Sequence, residues 1–401
     1  MRIGVFTDSY KPYTSGVVTS ITTFKEELTR LGHEVFIFAP SYPQHQEEEP
    51  DVYRFLSVPA PTNPEYSLAV PIAPRLSQTV KNLELDILHA HSPFILGRWG
   101  ANCARRFNLP LVFTYHTLYD QYVHYVPIAQ DLARDLAIKY SRNFCNQCDL
   151  VITPTREVEE LVKSYGIKAP IRVIPTGVPV HKFKNRNPNW LRKNWDIPAE
   201  AQVCLFVGRL TKEKNLEFLL QAFRLIKQRS PSAVLVIIAS GPLEAELKKM
   251  TVDLGLKLDT DVVFTGQIPY ENLIDVYFDA DLFTFASVTE TQGLVLIEAM
   301  AAGLPVVAVR AFGVEDMVDD GVNGYLVPLE KGEFVRRVVE LLSDDERYRQ
   351  FSAQALVKAE QMSSAAMARK LETEYREVIK RYHDQEGEKT HLPFPLNSLV
   401  K

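Results

Sequence analysis

Val203-Cys204-Leu205-Phe206-Val207-Gly208-Arg209-Leu210-Thr211-Lys212-Glu213-Lys214-Asn215 passes from an apolar, β-branched run into a basic loop, and Leu216–Gln228 follows with apolar residues at helical spacing. Strand, loop, helix is the reading. Downstream the same order recurs. Strands are predicted at Ala233–Ala239, Val262–Thr265, Leu282–Ala286, Pro305–Val309 and Gly324–Val327, with helical patterns at Glu244–Leu254 and Val295–Ala302. Upstream an earlier series runs through Arg2–Thr7, Glu34–Ala39, Asp86–His89, Leu111–Thr114, Leu150–Thr153 and Ile171–Ile174. In it Val18–Leu31 repeats Ile21, Phe24, Leu28 and Leu31 before Gly32, where a helix stops. Strands alternating with helices predict parallel βαβ units and an α/β fold.

Two series predict two Rossmann-like domains facing a cleft, residues 1–180 and 181–361. His181–Pro198 has no apolar periodicity and reads as the stretch between them. Gly332–Arg381 reads as helical throughout, with a return helix at 362–383 and a loose tail at 384–401. At 401 residues with 46% hydrophobic and 24% charged residues, the chain has ordinary globular usage. Its net charge of −5 argues against nucleic-acid binding. The longest charge-free stretch, Ser230–Leu243, has 14 residues with two prolines and a glycine, too short to span a bilayer. Met1–Asp8 turns acidic too soon for a signal peptide, and four cysteines make no disulfide framework, so the expected compartment is the cytoplasm.

Open α/β sheets bind ligands beyond the carboxyl ends of their strands, which directs attention to the loops that follow each strand. Gly16 ends the first such loop where a helix begins; it is a site of close ligand approach or simply a turn residue. The surrounding sequence is not GxGxxG, which disfavours a dinucleotide oxidoreductase. Arg209 and Lys214 flank a loop that opens a helix. A guanidinium, an ammonium and a helix dipole together suit a diphosphate without a metal, against the alternative of a solvated basic loop. Glu290 lies in the loop Ser287–Gly293, and Glu298 lies among Leu294, Val295, Leu296, Ile297, Ala299 and Met300. A carboxylate in such a helix needs a partner. Ligand hydroxyls, from a sugar ring and a ribose, would satisfy both; a buried salt bridge or cap is the competing account. His116 ends a strand and stands before Tyr119, Asp120, Tyr122, His124 and Tyr125, a polar aromatic lining.

Three metal or redox signals are set aside. Asp279-Ala280-Asp281 and Asp259-Thr260-Asp261 abut the starts of strands, the end opposite the binding edge. His89-Ala90-His91 has no third ligand at a recognisable spacing. Cys145-Asn146-Gln147-Cys148 is a single CxxC where a zinc ribbon needs two.

Gly208-Arg209…Lys214, Glu290-x7-Glu298 with Gly293, and Ala302-Gly303-Leu304-Pro305-Val306-Val307 together resemble glycosyltransferase family 4, the retaining GT-B enzymes. The likeness runs through about Arg381. Thr7-Asp8-Ser9-Tyr10-x-Pro, Ser15–Ile21, Thr114-Tyr115-His116-Thr117-x-Tyr119-Asp120-x-Tyr122-x-His124-Tyr125 and Tyr140-Ser141-Arg142-x-Phe144-Cys145-Asn146 look like bacterial 1,2-diacylglycerol 3-glucosyltransferases. Two features depart from the family pattern: Gly16 stands alone where many members have two glycines, and Thr176-Gly177-Val178-Pro179 replaces Asn-Gly-Val-Asp.

The resemblance implies a GT-B fold with a C-terminal helix crossing back. It implies a UDP-sugar held by the diphosphate pair Arg209 and Lys214, by Glu290 at the donor sugar and Glu298 at the ribose, by the backbone of Thr291, Gln292, Gly293 and Leu294, by Gly16, and by the backbone of Ile268 at the base. His116 and Glu290 are the implied catalytic residues, His116 holding the sugar's primary hydroxyl. Tyr10, Tyr119, Asp120, Tyr122 and His124 are acceptor candidates. The implied reaction moves glucose from UDP-glucose to diacylglycerol with retention. No tightly bound cofactor and no strict metal requirement are expected, with magnesium at most an activator. The alternatives are another donor, GDP-mannose or UDP-GlcNAc, or a soluble or phosphatidylinositol-type acceptor. A sugar-nucleotide-binding protein without catalysis is disfavoured by the complete set of four charged residues. From Val70 to Cys145 eight Lys and Arg face five acids, and Ile128, Leu132, Leu136 and Tyr140 form one helical stripe. An interfacial helix on the inner face of an anionic cell membrane is one reading; an ordinary surface helix is the other.

Overall fold

The computed structural model describes residues 1–43, 49–60, 63–71, 74–118, 130–184 and 187–391. The chain divides into two units. The first comprises Met1–Pro154, Glu159–Ile174 and Ala368–Lys401; the second comprises Thr155–Val158 and Pro175–Met367.

The first unit opens with β1 (Arg2–Phe6), α1 (Gly16–Arg30), β2 (Glu34–Pro40) and β3 (Val52–Phe55). It continues with β4 (Ser57–Ala60), β5 (Asn63–Ala69), α2 (Pro74–Asn82), β6 (Ile87–Ala90) and α3 (Ile95–Phe107). It ends with β7 (Leu111–Thr114), α4 (Gln130–Cys145), β8 (Leu150–Thr153), α5 (Arg156–Ser164), whose first turn falls in the second unit, and β9 (Ile171–Val173). Seven strands pair in parallel in the order β3-β2-β1-β6-β7-β8-β9, while β4 and β5 form a separate antiparallel hairpin. The central strands are buried on both faces, which is why they read as continuous apolar runs. Phe6 stacks on Phe38 with ring centroids 4.5 Å apart, and Trp99 of α3 closes over both.

The second unit contains β10 (Gln202–Arg209), α7 (Leu216–Arg229), β11 (Ala233–Ser240), α8 (Glu244–Asp253), β12 (Val262–Phe264) and α9 (Tyr270–Asp279), with the short α6 (Trp190–Asn194) ahead of them. Then come β13 (Leu282–Phe285), α10 (Leu294–Ala301), β14 (Val306–Val309), β15 (Gly324–Val327), α11 (Lys331–Ser343) and α12 (Asp345–Gln361). Six parallel strands take the order β12-β11-β10-β13-β14-β15. In each sheet the first strand lies centrally, and the chain order reverses beside it: β1 between β2 and β6, β10 between β11 and β13. The crevice at such a switch point is where open α/β sheets bind ligands.

Three parts of the sequence reading are revised. His181–Pro198 is not a connector but part of the second unit, with Phe183, Leu191 and Ile197 buried in its core. Carboxylates hold it there: Asp275 accepts from the Asn187 N–H at 2.6 Å, and Asp279 accepts from those of Asn189 and Leu191, both at 2.8 Å. Asp281 accepts from the Val203 N–H at 2.7 Å and pairs with Arg192 at 3.4 Å. The Asp-x-Asp pair therefore ties down backbone that would otherwise be unsatisfied. Gly332–Arg381 is helical as expected, divided into α11, α12 and most of α13 (Ser364–His391). Asp344, which accepts from the Arg347 N–H at 3.0 Å, caps the second of these. The expected loose end after His383 is still helix through His391. Finally, β3 and the β4–β5 hairpin went unread, because β3 is half polar and prolines interrupt the hairpin.

From Ala368 onward α13 belongs to the first unit, so the chain does return there. Glu374 pairs with Arg172 at 3.1 Å, and the Tyr375 hydroxyl lies 2.5 Å from His89 Nδ1.

Candidate active site

In the second unit, two loops flank the switch point. After β10, Arg209 is followed by a tight turn at Lys212–Lys214, and Asn215 in the left-handed region, φ 54°, starts α7. After β13 the chain runs from Ala286 to Gly293, which is left-handed at φ 67° and caps α10. The loops are tied together, since the Glu213 carbonyl accepts from the Val288 N–H at 3.0 Å and from the Ser287 hydroxyl at 3.1 Å.

Lys214 Nζ and Glu290 Oε1 form an ion pair across these loops, with side chains 14% and 13% exposed. The ammonium also stands 5.8 Å from the centre of the Phe285 ring. Arg209 is the accessible cation, 71% exposed and 3.7 Å from Glu213. Burial would raise the Glu213 carboxyl. Hydrogen bonds and the cations Arg209 and Lys214 outweigh it and hold the group below the ordinary range. The structure thus places a guanidinium, an ammonium and a carboxylate on one pair of loops beside the N-terminus of α10.

Glu298 is partnered by a hydroxyl, not by a cation: Tyr277 of α9, fully buried, donates to Oε2 at 2.9 Å. No ion pair to it is found among the described residues. Burial pushes its carboxyl above the ordinary value, with the tyrosine hydrogen bonds working against that shift. Gln292 is buried, and its side chain is committed: its amide donates to the Thr176 carbonyl at 2.6 Å and accepts from the Thr176 N–H at 2.8 Å. Ile268 stands just before α9, half-buried against the core of this unit.

Gly313 is a residue that the sequence reading missed. It is left-handed at φ 73°, and a Cβ there would lie 2.2 Å from the Glu290 carbonyl oxygen. Glu290 N–H also donates to the Phe312 carbonyl at 3.1 Å. The loop after β14 therefore supports Glu290 from behind. Its position after a strand was the signal available.

In the first unit, Ser15 caps α1 and accepts from the Val18 N–H at 3.3 Å. Gly16 follows, exposed, with nothing within 4 Å of a Cβ built on it. Among the described residues, no packing requires glycine there. Asp8, after β1, is buried, and burial raises its carboxyl. It accepts from the Ser92 hydroxyl and from the Leu96 N–H, the latter at 2.8 Å, and so caps α3. Tyr10 is fully buried, with the Arg54 guanidinium 5.5 Å from its ring centre; burial pushes its hydroxyl up to about 12. His116 follows β7, its Nε2 at 2.8 Å from Nδ1 of His91. Tyr119, Asp120, Tyr122 and His124 lie outside the described residues.

On α4, Leu132 and Leu136 are 61% and 56% exposed, and Tyr140 donates to the Pro93 carbonyl at 2.8 Å. No helix among the described residues is long and apolar enough to cross a membrane.

Comparison with known proteins agrees with this architecture. The profile of Glycosyltransferase Family 4 matches residues 14–182, and that of Glycosyl transferases group 1 matches residues 189–357. The chain is 36% identical to the alpha-monoglucosyldiacylglycerol synthase of Streptococcus pneumoniae, over 81% of this chain and 75% of that one. It is 28% identical to a GDP-mannose-dependent alpha-mannosyltransferase of Corynebacterium glutamicum, over 94% and 89% respectively. The solved structure of Anabaena Alr3699/HepE in complex with UDP superposes with a TM-score of 0.75 at 20% identity, covering 94% of this chain and all of that one. The fold is GT-B, with two parallel-sheet Rossmann-like domains.

Proposed function

We propose, on the premise that this chain belongs to glycosyltransferase family 4, that it moves glucose from UDP-glucose to the free hydroxyl of diacylglycerol with retention at the anomeric carbon. The observation that carries this reading is the Lys214–Glu290 pair on tied loops at a switch point, with exposed Arg209 alongside. The likeness to an alpha-monoglucosyldiacylglycerol synthase supports the choice of sugar and acceptor.

Negative charge grows on the leaving diphosphate as the C1–O bond breaks. Arg209, Lys214 and the N-terminal N–H groups of α10 stabilise it, the buried Lys214 and the backbone N–H groups from fixed positions and the exposed Arg209 by closing on the phosphate. Glu290 accepts hydroxyls of the sugar, and Glu298 those of the ribose. The backbone of Thr291 to Leu294 meets the sugar and phosphate, and that of Ile268 the base. Within the first unit, Gly16 and His116 are the proposed donor contacts, His116 for the sugar's primary hydroxyl, whereas the fully buried Tyr10 is not offered to an acceptor. No separate base is assigned: the leaving phosphate takes the proton of the attacking hydroxyl on the same face. Magnesium acts as an activator at most, so activity should survive a chelator. Leu132 and Leu136, exposed near Arg134 and Lys139, suit peripheral binding to an anionic inner-face membrane.

The test is radiolabelled UDP-glucose with diacylglycerol vesicles, with and without anionic lipid. A labelled glucolipid, stable to β-glucosidase and released by α-glucosidase, is expected. Turnover on a soluble acceptor without any glucolipid would overturn the lipid reading. Turnover with GDP-mannose but not UDP-glucose would overturn the donor, and the likeness to a GDP-mannose-dependent enzyme makes that the second reading to test.

A further inference from the structure

His89-Ala90-His91 carries its two imidazoles on one face, two residues apart at the end of β6. His91 Nδ1 lies 2.8 Å from His116 Nε2, and the two rings meet edge to edge, 21° from parallel with centroids 5.1 Å apart. Behind them stands His89, its ring 4.1 Å from that of His91. His89 is held at both nitrogens, Nε2 at 2.7 Å from the Thr114 hydroxyl and Nδ1 at 2.5 Å from the Tyr375 hydroxyl of α13. His89, His91, Thr114 and Tyr375 are all buried, whereas His116 is only partly covered. Among these five residues, the partly covered ring is the one that faces away from the interior.

We infer that His91 is a positioning residue for His116: by engaging Nε2 it sets the tilt and tautomer of the ring and leaves Nδ1 as the nitrogen that meets a ligand hydroxyl. The inference rests on the reading that His116 acts at the donor sugar. A neutral imidazole has one donor and one acceptor nitrogen, so a partner at Nε2 determines what Nδ1 can offer. Burial keeps all three rings neutral at neutral pH. Tyr375 and Thr114 hold His89, and His89 backs His91, so the return helix takes part in fixing the same ring. A partner on the second ring nitrogen fixes tautomer and ring orientation in both metal-binding and catalytic histidines.

The experiment is steady-state transfer by the full chain, with the donor and acceptor that give product, on His91→Phe, His91→Asn, His91→Gln, His116→Ala and the double variant His91→Phe/His116→Ala. An Asn amide reaches the place of Nδ1, whereas a Gln amide reaches past it. His91→Phe and His91→Gln are expected to lower kcat by about tenfold or more with donor KM changed less than about threefold, and His91→Asn to recover most of the rate. In the His116→Ala background the His91→Phe change should cost less than about twofold, because the two act through one bond. If His91→Phe fails to fold, the Asn and Gln pair carries the comparison. An impaired His116→Ala together with equal His91→Phe losses in both backgrounds overturns the positioning role alone. A His116→Ala enzyme with undiminished kcat overturns the reading of His116, and the inference with it.

Discussion

Lys214 and Glu290, 76 residues apart in sequence, neutralise one another in a largely buried ion pair at the junction of two loops. Removing one partner leaves the other charge desolvated, so the two substitutions are not equivalent to losing a surface bridge. Glu290→Ala and Arg209→Ala are each expected to lower transfer by well over about tenfold. Arg209 is mostly exposed, so its variant should melt like the parent, whereas Glu290→Ala should lose about 1–3 kcal/mol by freeing Lys214. Rates near the parent's for both would sink the assignment of the donor site.

Two glycines should separate packing from binding. Gly16→Ala places its methyl in open space, so the melting temperature should stay within a degree or two while transfer falls. Gly313→Ala puts a Cβ against the Glu290 carbonyl in a left-handed residue, and should lose about 1–2 kcal/mol from backbone strain alone. Calorimetry and kinetics on the two purified variants check this. A Gly16→Ala enzyme with unchanged kinetics would remove the ligand from the α1 N-terminus.

Stability should fall as the pH drops below neutrality. Burial holds His89 at about 3 and His116 at about 4, both below their ordinary value of 6.5, and holds His91 low as well. A histidine depressed in the folded state is protonated first in the unfolded chain. Its contribution is therefore full above pH 6.5 and is lost as the pH falls toward the folded-state value. Asp8, Asp281 and Glu298, raised by burial, act in the opposite sense at the acid end. His89→Phe should flatten the fall of unfolding free energy between pH 6.5 and about 4, by up to about 1.4 kcal/mol per pH unit. Identical slopes for parent and variant in denaturant titrations would contradict the buried neutral ring.

Leu132→Ser with Leu136→Ser should leave the fold intact, since both side chains are mostly in solvent. Vesicle sedimentation should show weaker binding, each leucine contributing up to about 1.5 kcal/mol if it enters the bilayer interface. Unchanged binding to anionic vesicles would make α4 an ordinary surface helix.

Much of this molecule is local. Alternating apolar runs marked every strand of both sheets except the half-polar β3, because a strand buried on two faces must be apolar throughout. Arg209, Lys214, Glu290 and Glu298 could be picked out because each follows a strand or interrupts an apolar helix. Other features were not legible. Asp279 and Asp281 could be set aside as a cation pair, but their actual role was hidden: they bind backbone N–H groups 78 to 90 residues earlier in the chain. His89 and His91 lacked a third partner at any local spacing, and His116 joins them only because β6 and β7 are neighbours. Spacing of three, four or two residues encodes helix faces and strand faces, and the chain alone determined those. Which strand lies beside which is set by non-local burial, and only that packing decided that Lys214 meets Glu290 and that His91 stands behind His116.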